Sequence, residues 1–274
     1  MRRHEFSWAK RKAASRVTLI KTGEWEFIVN FAALVLKISK AIERFPRFHK
    51  IARRSYCVFR PGIRFQMEAA FKHHQDIFVL KIGANDGVTN DPLATLLLTD
   101  RRYRGLLVEP LPMYAAMLRA NYGKCGRFAI EQAAVTTSSC TANMYYVDEN
   151  ALEQIGISVP HWVRGVASFD RLHVVKHLTP EMRSAVKELS VECLAVDALL
   201  SRNNIQKIDL LQIDSEGFDY RILRQFDFTT LRPRIVLFER KHLSKEDQDA
   251  SRSMMQNAGY HVKAMETDFF CLLR

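Results

Sequence analysis

The 274-residue chain has few of the residues that punctuate or cross-link irregular proteins. Only 11 Gly and 8 Pro are present, which excludes collagen-like and low-complexity architectures. Five cysteines are spread along the chain as Cys57, Cys125, Cys140, Cys193 and Cys271. They are odd in number and never in CxxC spacing, which argues against a zinc site or a disulfide framework. A reducing compartment follows as the simplest setting. No apolar run approaches the roughly 20 residues of a bilayer span. What remains is 47% hydrophobic and 26% charged residues, the mix of a globular chain with a core.

Acidic residues are scarce in one place only. Residues 1–60 hold 15 Lys/Arg against 4 Asp/Glu, whereas the rest of the chain holds 26 of each. The net +11 therefore belongs to the N-terminal arm, and the body is neutral. No basic face with interleaved aromatics appears on the body, so a nucleic-acid partner is not expected. Within the arm, Trp25, Phe27, Ile28, Phe31, Leu34, Val35, Ile38 and Ile42 follow the spacing of an amphipathic helix that Pro46 ends. Three readings stay open for this stripe: a helix packed on the body, a partner helix, or peripheral contact of residues 1–45 with an anionic membrane. The expected division is an arm at 1–66 and a body at 67–274, with 148–207 inserted on the substrate side.

From Ile77 the character changes. Ile77–Ile82 is a short apolar run, read as a buried parallel strand, and it enters Gly83-Ala84-Asn85-Asp86-Gly87. A strand ending in a glycine turn is how open α/β sheets shape a ligand crevice. A second apolar strand, Leu106–Val108, ends at Glu109-Pro110. An acid about 20 residues past the turn suits a ribose diol, and it also suits the start of the helix opened by Pro112 and Met113. Phe128–Val135 reads as a third strand, with Ala133 and Ala134 small enough to face a ring. The long connection that follows resembles a binding loop or lid. His173, Lys176 and His177 would share one helical face within it, solvated when each is judged singly. Val191–Val196 resembles a further strand in the same stretch.

Ile208–Ile213 is a fourth core strand, ending in Asp214-Ser215-Glu216-Gly217-Phe218-Asp219. Carboxylates gathered at a strand end need a positive partner: a cationic ligand, a metal or an arginine. Capping by Asp219 accounts for one of them. Ile235–Phe238 is a fifth strand, ending in Glu239-Arg240-Lys241-His242, and Tyr260–Met265 with Phe269–Leu273 forms a closing hairpin. This alternation gives a mixed sheet with one antiparallel strand at its edge.

Four motifs in this order, Ile82–Gly87, Val108-Glu109-Pro110, Ile213–Asp219 and Leu237-Phe238-Glu239, resemble a class I S-adenosylmethionine-dependent methyltransferase, and more narrowly the FkbM family. The resemblance covers about 77–274. It implies a Rossmann-like α/β sheet of order 3-2-1-4-5-7-6 with the last strand antiparallel, preceded here by the helical arm. It implies methyl transfer from S-adenosylmethionine to a hydroxyl of a sugar, glycan or natural product. By position, Gly83, Ala84, Asn85, Asp86, Gly87 and Ala134 would line the cofactor, Glu109 would bind the ribose, and Asp214 would face the sulfonium or the acceptor. Lys81 stands where many relatives carry an acid for the cofactor's amino group, so Asp86 or Asp214 would have to replace that acid. Asp214, Glu216, His242 and His173 are the catalytic candidates, with Glu239 a further candidate base. No metal is assigned: Asp214, Glu216, Glu239 and His242 offer donors for a divalent ion, but no spacing enforces a ligand set. The expected setting is cytoplasmic, with the arm able to rest on the inner membrane face. The other reading is a non-catalytic binding or scaffold module attached by its arm, which Lys81 favours.

Overall fold

The computed structural model describes residues 61–274, with side chains from Ile63 onward. The basic arm with its stripe from Trp25 to Ile42, and Cys57, lie outside the described residues. The first described element, α1 (Pro61–Ala70), crosses the boundary expected at 66/67. Ile63, Met67, Ala70 and Phe71 recur at helical spacing and are buried in the body's core.

Seven strands form the main sheet: β1 (Ile77–Ile82), β2 (Tyr103–Val108), β3 (Phe128–Glu131), β7 (Leu210–Ile213), β8 (Ile235–Glu239), β9 (Tyr260–Ala264) and β10 (Asp268–Leu273). Between β3 and β7 the chain makes β4 (Ala134–Val135), β5 (Cys140–Val147) and β6 (Val186–Leu194), which form a separate three-stranded sheet of order β4-β6-β5. The main sheet runs β3-β2-β1-β7-β8-β10-β9. Numbered on its own, that is the expected 3-2-1-4-5-7-6; the inserted strands alone change the labels. One detail differs. The antiparallel strand, β10, lies between β8 and β9, so the edge is β9.

β1, β2, β7 and β8 are parallel neighbours. Their alternate residues enter two cores, as strands covered on both faces do. Leu80, Ile82, Leu211, Ile213, Val236 and Phe238 face one layer. Ile77, Val79, Leu210, Ile235 and Leu237 face the other, against α1. Register then places the site. Ile82 pairs with both Val108 and Ile213, and Ile213 pairs with Phe238. The next residue on each strand is Gly83, Glu109, Asp214 and Glu239, so four strand ends come into line at one edge.

The third expected strand is split. Gln132 and Ala133 separate β3, in the main sheet, from β4, in the small one. β5 is absent from the expectation because Cys140–Asn143 shows no apolar alternation and lies largely at the surface. β6 starts earlier than Val191, as the antiparallel partner of all of β5. The insertion also packs its own core around Val147, Leu152, Val163, Val174 and Met182. Cys140 and Cys193 are register partners on β5 and β6, both free thiols. Among the described residues no helix is long and apolar enough to cross a membrane.

Candidate active site

The strand ends open into a cavity of about 860 Å³, toward the upper end of the roughly 300–1,000 Å³ usual for small-molecule sites. Gly83 forms its floor. The Gly83 and Ala84 amides both donate to the Val108 carbonyl, at 3.0 and 2.9 Å. Gly83 has φ +76°, and a Cβ there would lie 1.6 Å from the Asp214 carbonyl oxygen. Only glycine permits that approach.

Glu109 is buried at the lip of this turn. One oxygen accepts from the Asn85 amide at 2.8 Å and the other from the Leu111 amide at 3.0 Å. Its two expected roles, support of the following helix and a ligand contact, are thus compatible, because each oxygen keeps a second lone pair. Burial raises its pKa to about 7.

Asp86 and Gly87 do not line the cavity, which corrects two of the expected cofactor contacts. Asp86 accepts from the amides of Val88 and Thr89 and from the Thr89 hydroxyl, and pairs with Arg164 at 3.2 Å. Its carboxylate is spent on holding the turn. At Gly87 a Cβ would meet Leu118 and Tyr122 at 2.5 Å, so its role is packing. Arg164, from the 3₁₀ turn His161–Gly165, also binds Glu149 in a fork at 2.8 and 2.9 Å, and its carbonyl accepts from Asn85 Nδ2 at 2.7 Å. The insertion is latched onto the glycine turn and forms a wall of the cavity.

Lys81 is almost fully buried, with its ammonium 3.1 Å from Asp91 and 2.8 Å from Gln212 Oε1. Asp91 lines the cavity too, and its second oxygen is buried without a hydrogen-bond partner. The sequence offered Asp86 or Asp214 for the acid absent at position 81 and did not single out Asp91. A lysine inside an apolar strand demands a buried counter-charge, but only the fold shows that Asp91 answers it.

Asp214 is exposed where it opens on the cavity, with protein packed around it on the other sides. Loss of bulk water, with Glu239, Asp219 and Glu216 nearby, pushes its carboxyl well above the usual range. Asp219 is not the helix cap that was expected. It is the first residue of the short helix Asp219–Leu223, and its carboxylate turns back to accept from the Gly217 and Ser215 amides at 3.2 and 3.4 Å. Burial raises its pKa to about 7.

Glu216, in the left-handed region at φ +51°, and Glu239 both reach His242 Nδ1, at 2.9 and 3.0 Å. Hydrogen bonds to Glu216 and then Glu239 raise the pKa of His242 to about 10. With both carboxylates accepting at Nδ1, His242 favours its protonated form, which is better suited to donating a hydrogen bond than to taking a proton. The short helix Arg171–Val175 ends before Lys176 and His177, yet His173 and His177 both line the cavity, with ring centroids 5.6 and 6.1 Å from His242. Burial, and then Lys176, lower the pKa of His173. It is half-buried, with Nδ1 accepting from Lys176 Nζ at 3.1 Å. Ala134 lines the cavity as expected.

A family model described as the methyltransferase FkbM domain matches residues 81–262. The chain belongs to the FkbM methyltransferase domain family. The match starts at Lys81 and ends on β9, so this FkbM domain spans the glycine turn, the insertion and the carboxylates from Asp91 to Glu239 that line the cavity. Similar solved structures include an FkbM methyltransferase from Methylobacillus flagellatus KT, at 12% identity and TM-score 0.44, over 72% of this chain and 44% of that one. The chain thus spans less than half the length of that relative. An O-methyltransferase from Bacillus cereus in complex with SAH matches at 10% identity and TM-score 0.41, over 86% of this chain and 91% of that one. A precorrin-6y C5,15-methyltransferase from Geobacter metallireducens GS-15 matches at 11% identity and TM-score 0.38, over 77% and 86%. No curated protein matches the FkbM domain described here.

The residues present fit S-adenosylmethionine. The cavity offers the orphaned oxygen of Asp91 and the open carboxyl of Asp214, both acceptors for a cation, and the paired oxygens of Glu109 for a diol.

Proposed function

We propose that the protein is an S-adenosylmethionine-dependent O-methyltransferase whose acceptor is a hydroxyl of a sugar, glycan or natural product. The observation that carries this reading is Asp214: a carboxyl open to the cavity, at the register position between Gly83 and Glu239. S-adenosylmethionine supplies an activated methyl group on a sulfonium. The acceptor oxygen's lone pair forms the new C–O bond, the C–S bond breaks with its electron pair going to sulfur, and the hydroxyl proton leaves to a base. The chain's task is alignment, charge complement and removal of that proton.

Glu109 binds the ribose hydroxyls, and Asp91 presents a carboxyl oxygen to the cationic end of the cofactor. Ala134, beside Ala133 on the opposite wall, leaves room for a flat ring. Trp162 and Phe169 of the insertion, with Phe218, supply apolar faces on the acceptor side, which suits the C–H face of a sugar. Asp214 is the group assigned to take the proton, since His173 Nδ1 already accepts from Lys176 Nζ at 3.1 Å. The alternative of a non-catalytic scaffold drew its support from Lys81. The pairing of Lys81 with Asp91 places an acid by the cavity after all, and this favours the enzyme.

Asp214→Asn tests the assignment. Turnover of S-adenosylmethionine with acceptor should fall by roughly 10²–10⁴-fold, the usual worth of a positioned base, with a much smaller loss of cofactor affinity. Full activity in this variant would defeat the assignment of Asp214 as the base.

A further inference from the structure

Glu216, Glu239 and His242 come from three points of the fold, the β7 turn, the end of β8 and the loop beyond it, yet their ligand atoms all lie within 4.8 Å of one another. His242 Nδ1 is 2.9 Å from one carboxylate oxygen and 3.0 Å from another. Metal–ligand bonds of about 2.1 Å set at right angles put neighbouring ligand atoms about 3.0 Å apart. Two of the three spacings therefore match one face of an octahedral shell. A proton on Nδ1 and a metal ion are alternatives for the same position. His242 Nε2 and His173 Nε2 are both buried with no hydrogen-bond partner, each across its ring from Nδ1. The three rings of His173, His177 and His242 stand 5.2–6.1 Å apart, centroid to centroid, along this side of the cavity. Glycines make the closeness feasible. A Cβ at Gly165 would come 3.1 Å from Glu216 Oε1, and one at Gly217 would come 3.3 Å from the His242 carbonyl oxygen.

We propose that Glu216, Glu239 and His242 form a binding site for a first-row divalent transition ion, with His173 and His177 beside it. Two carboxylates with imidazole suit Mn²⁺, Co²⁺ or Zn²⁺ better than Mg²⁺ or Ca²⁺, which take oxygen ligands almost exclusively. Its chemical use follows from the acceptor. A sugar hydroxyl is far less acidic than any side chain in the cavity, and a cation facing it lowers the cost of removing its proton. This use rests on the methyl-transfer reading, whereas the site itself does not.

The test is a titration of the full-length protein, stripped with a chelator, with Mn²⁺. Loss of the free Mn²⁺ electron paramagnetic resonance signal reads binding, and Mg²⁺ serves as competitor. The expected result is one Mn²⁺ per chain, poorly displaced by Mg²⁺, with affinity reduced on the order of 10²-fold in Glu239→Gln and in His242→Asn. If either variant melts early, Glu216→Gln, on a partly exposed turn, takes its place. A wild type that fails to bind Mn²⁺, Co²⁺ and Zn²⁺ at millimolar concentration would overturn the site, as would variants that bind as well as the wild type. A parallel S-adenosylmethionine titration without metal separates the two claims. Metal binding without cofactor binding would defeat the methyltransferase reading alone, and cofactor binding without metal binding would defeat the cation site alone.

Discussion

Gly83 and Asp214 lie backbone against backbone, so close that the Cβ of any other residue at 83 would sit 1.6 Å from the Asp214 carbonyl oxygen. The Asp214 amide in turn donates to the Ile82 carbonyl at 3.0 Å. The cofactor turn and the acidic turn are thus one unit. Gly83→Ala must separate them and also adopt φ +76°. A loss of more than about 4 kcal/mol is expected, in the exceptional range for one substitution. Gly126→Ala is the control. Its φ is +63° but nothing lies within 4 Å of the added Cβ, so only the left-handed penalty of about 1–2 kcal/mol applies. Urea denaturation of the two variants checks the difference, and equal losses would contradict the contact.

Lys81→Met keeps the length of the side chain but leaves Asp91 buried without its cation. Breaking a buried pair on one side typically costs about 3–5 kcal/mol. The double variant Lys81→Met/Asp91→Asn should recover much of that loss, because no charge is then stranded. Cofactor affinity should stay weak in the double variant. Full affinity there would remove Asp91 from the cofactor site.

Glu109 gives a pH signature with a definite sign. Its folded pKa, about 7, is above the ordinary value of 4.5, so the protonated carboxyl is favoured by folding. Its contribution to stability is complete below pH 4.5 and is lost as pH rises through 7. Glu109→Gln should therefore flatten the decline of melting temperature across that window, by up to about 3 kcal/mol equivalent. Cofactor affinity in the wild type should rise over the same window, as the carboxylate becomes a full acceptor for the diol. Identical pH profiles in the two proteins would contradict this.

The strand ends were legible because doubly covered parallel strands read as apolar runs, and each run stops at the residue that matters: Gly83, Glu109, Asp214, Glu239. Sheet order came from the family resemblance that the motifs at those ends carry, whereas the runs and the closing hairpin alone gave only a mixed sheet with one antiparallel strand. The small sheet was not legible, because β5 is half exposed and its Cys140–Asn143 stretch has neither alternation nor apolar continuity. Asp86 misled because a Gly-Ala-Asn-Asp-Gly turn does not declare whether its acid points out; here Asp86 folds inward onto Thr89. The state of His242 was hidden for a different reason. Glu239 is only three residues away, but Glu216 is brought in by the β7–β8 pairing, and two carboxylates are needed to hold the ring as a cation. Asp91 was unreadable until the fold brought it to Lys81.

The central claim, that the line of Gly83, Glu109 and Asp214 is a cofactor site, is tested most directly by calorimetric titration of the full-length protein with S-adenosylmethionine, in parallel with Glu109→Ala. One molecule should bind per chain, and the variant, still folded by its cooperative melt, should lose about 1–3 kcal/mol of affinity, the worth of hydrogen bonds to a buried charged group. Absence of binding to the folded wild type at millimolar cofactor, or unchanged affinity in the folded variant, would contradict the account.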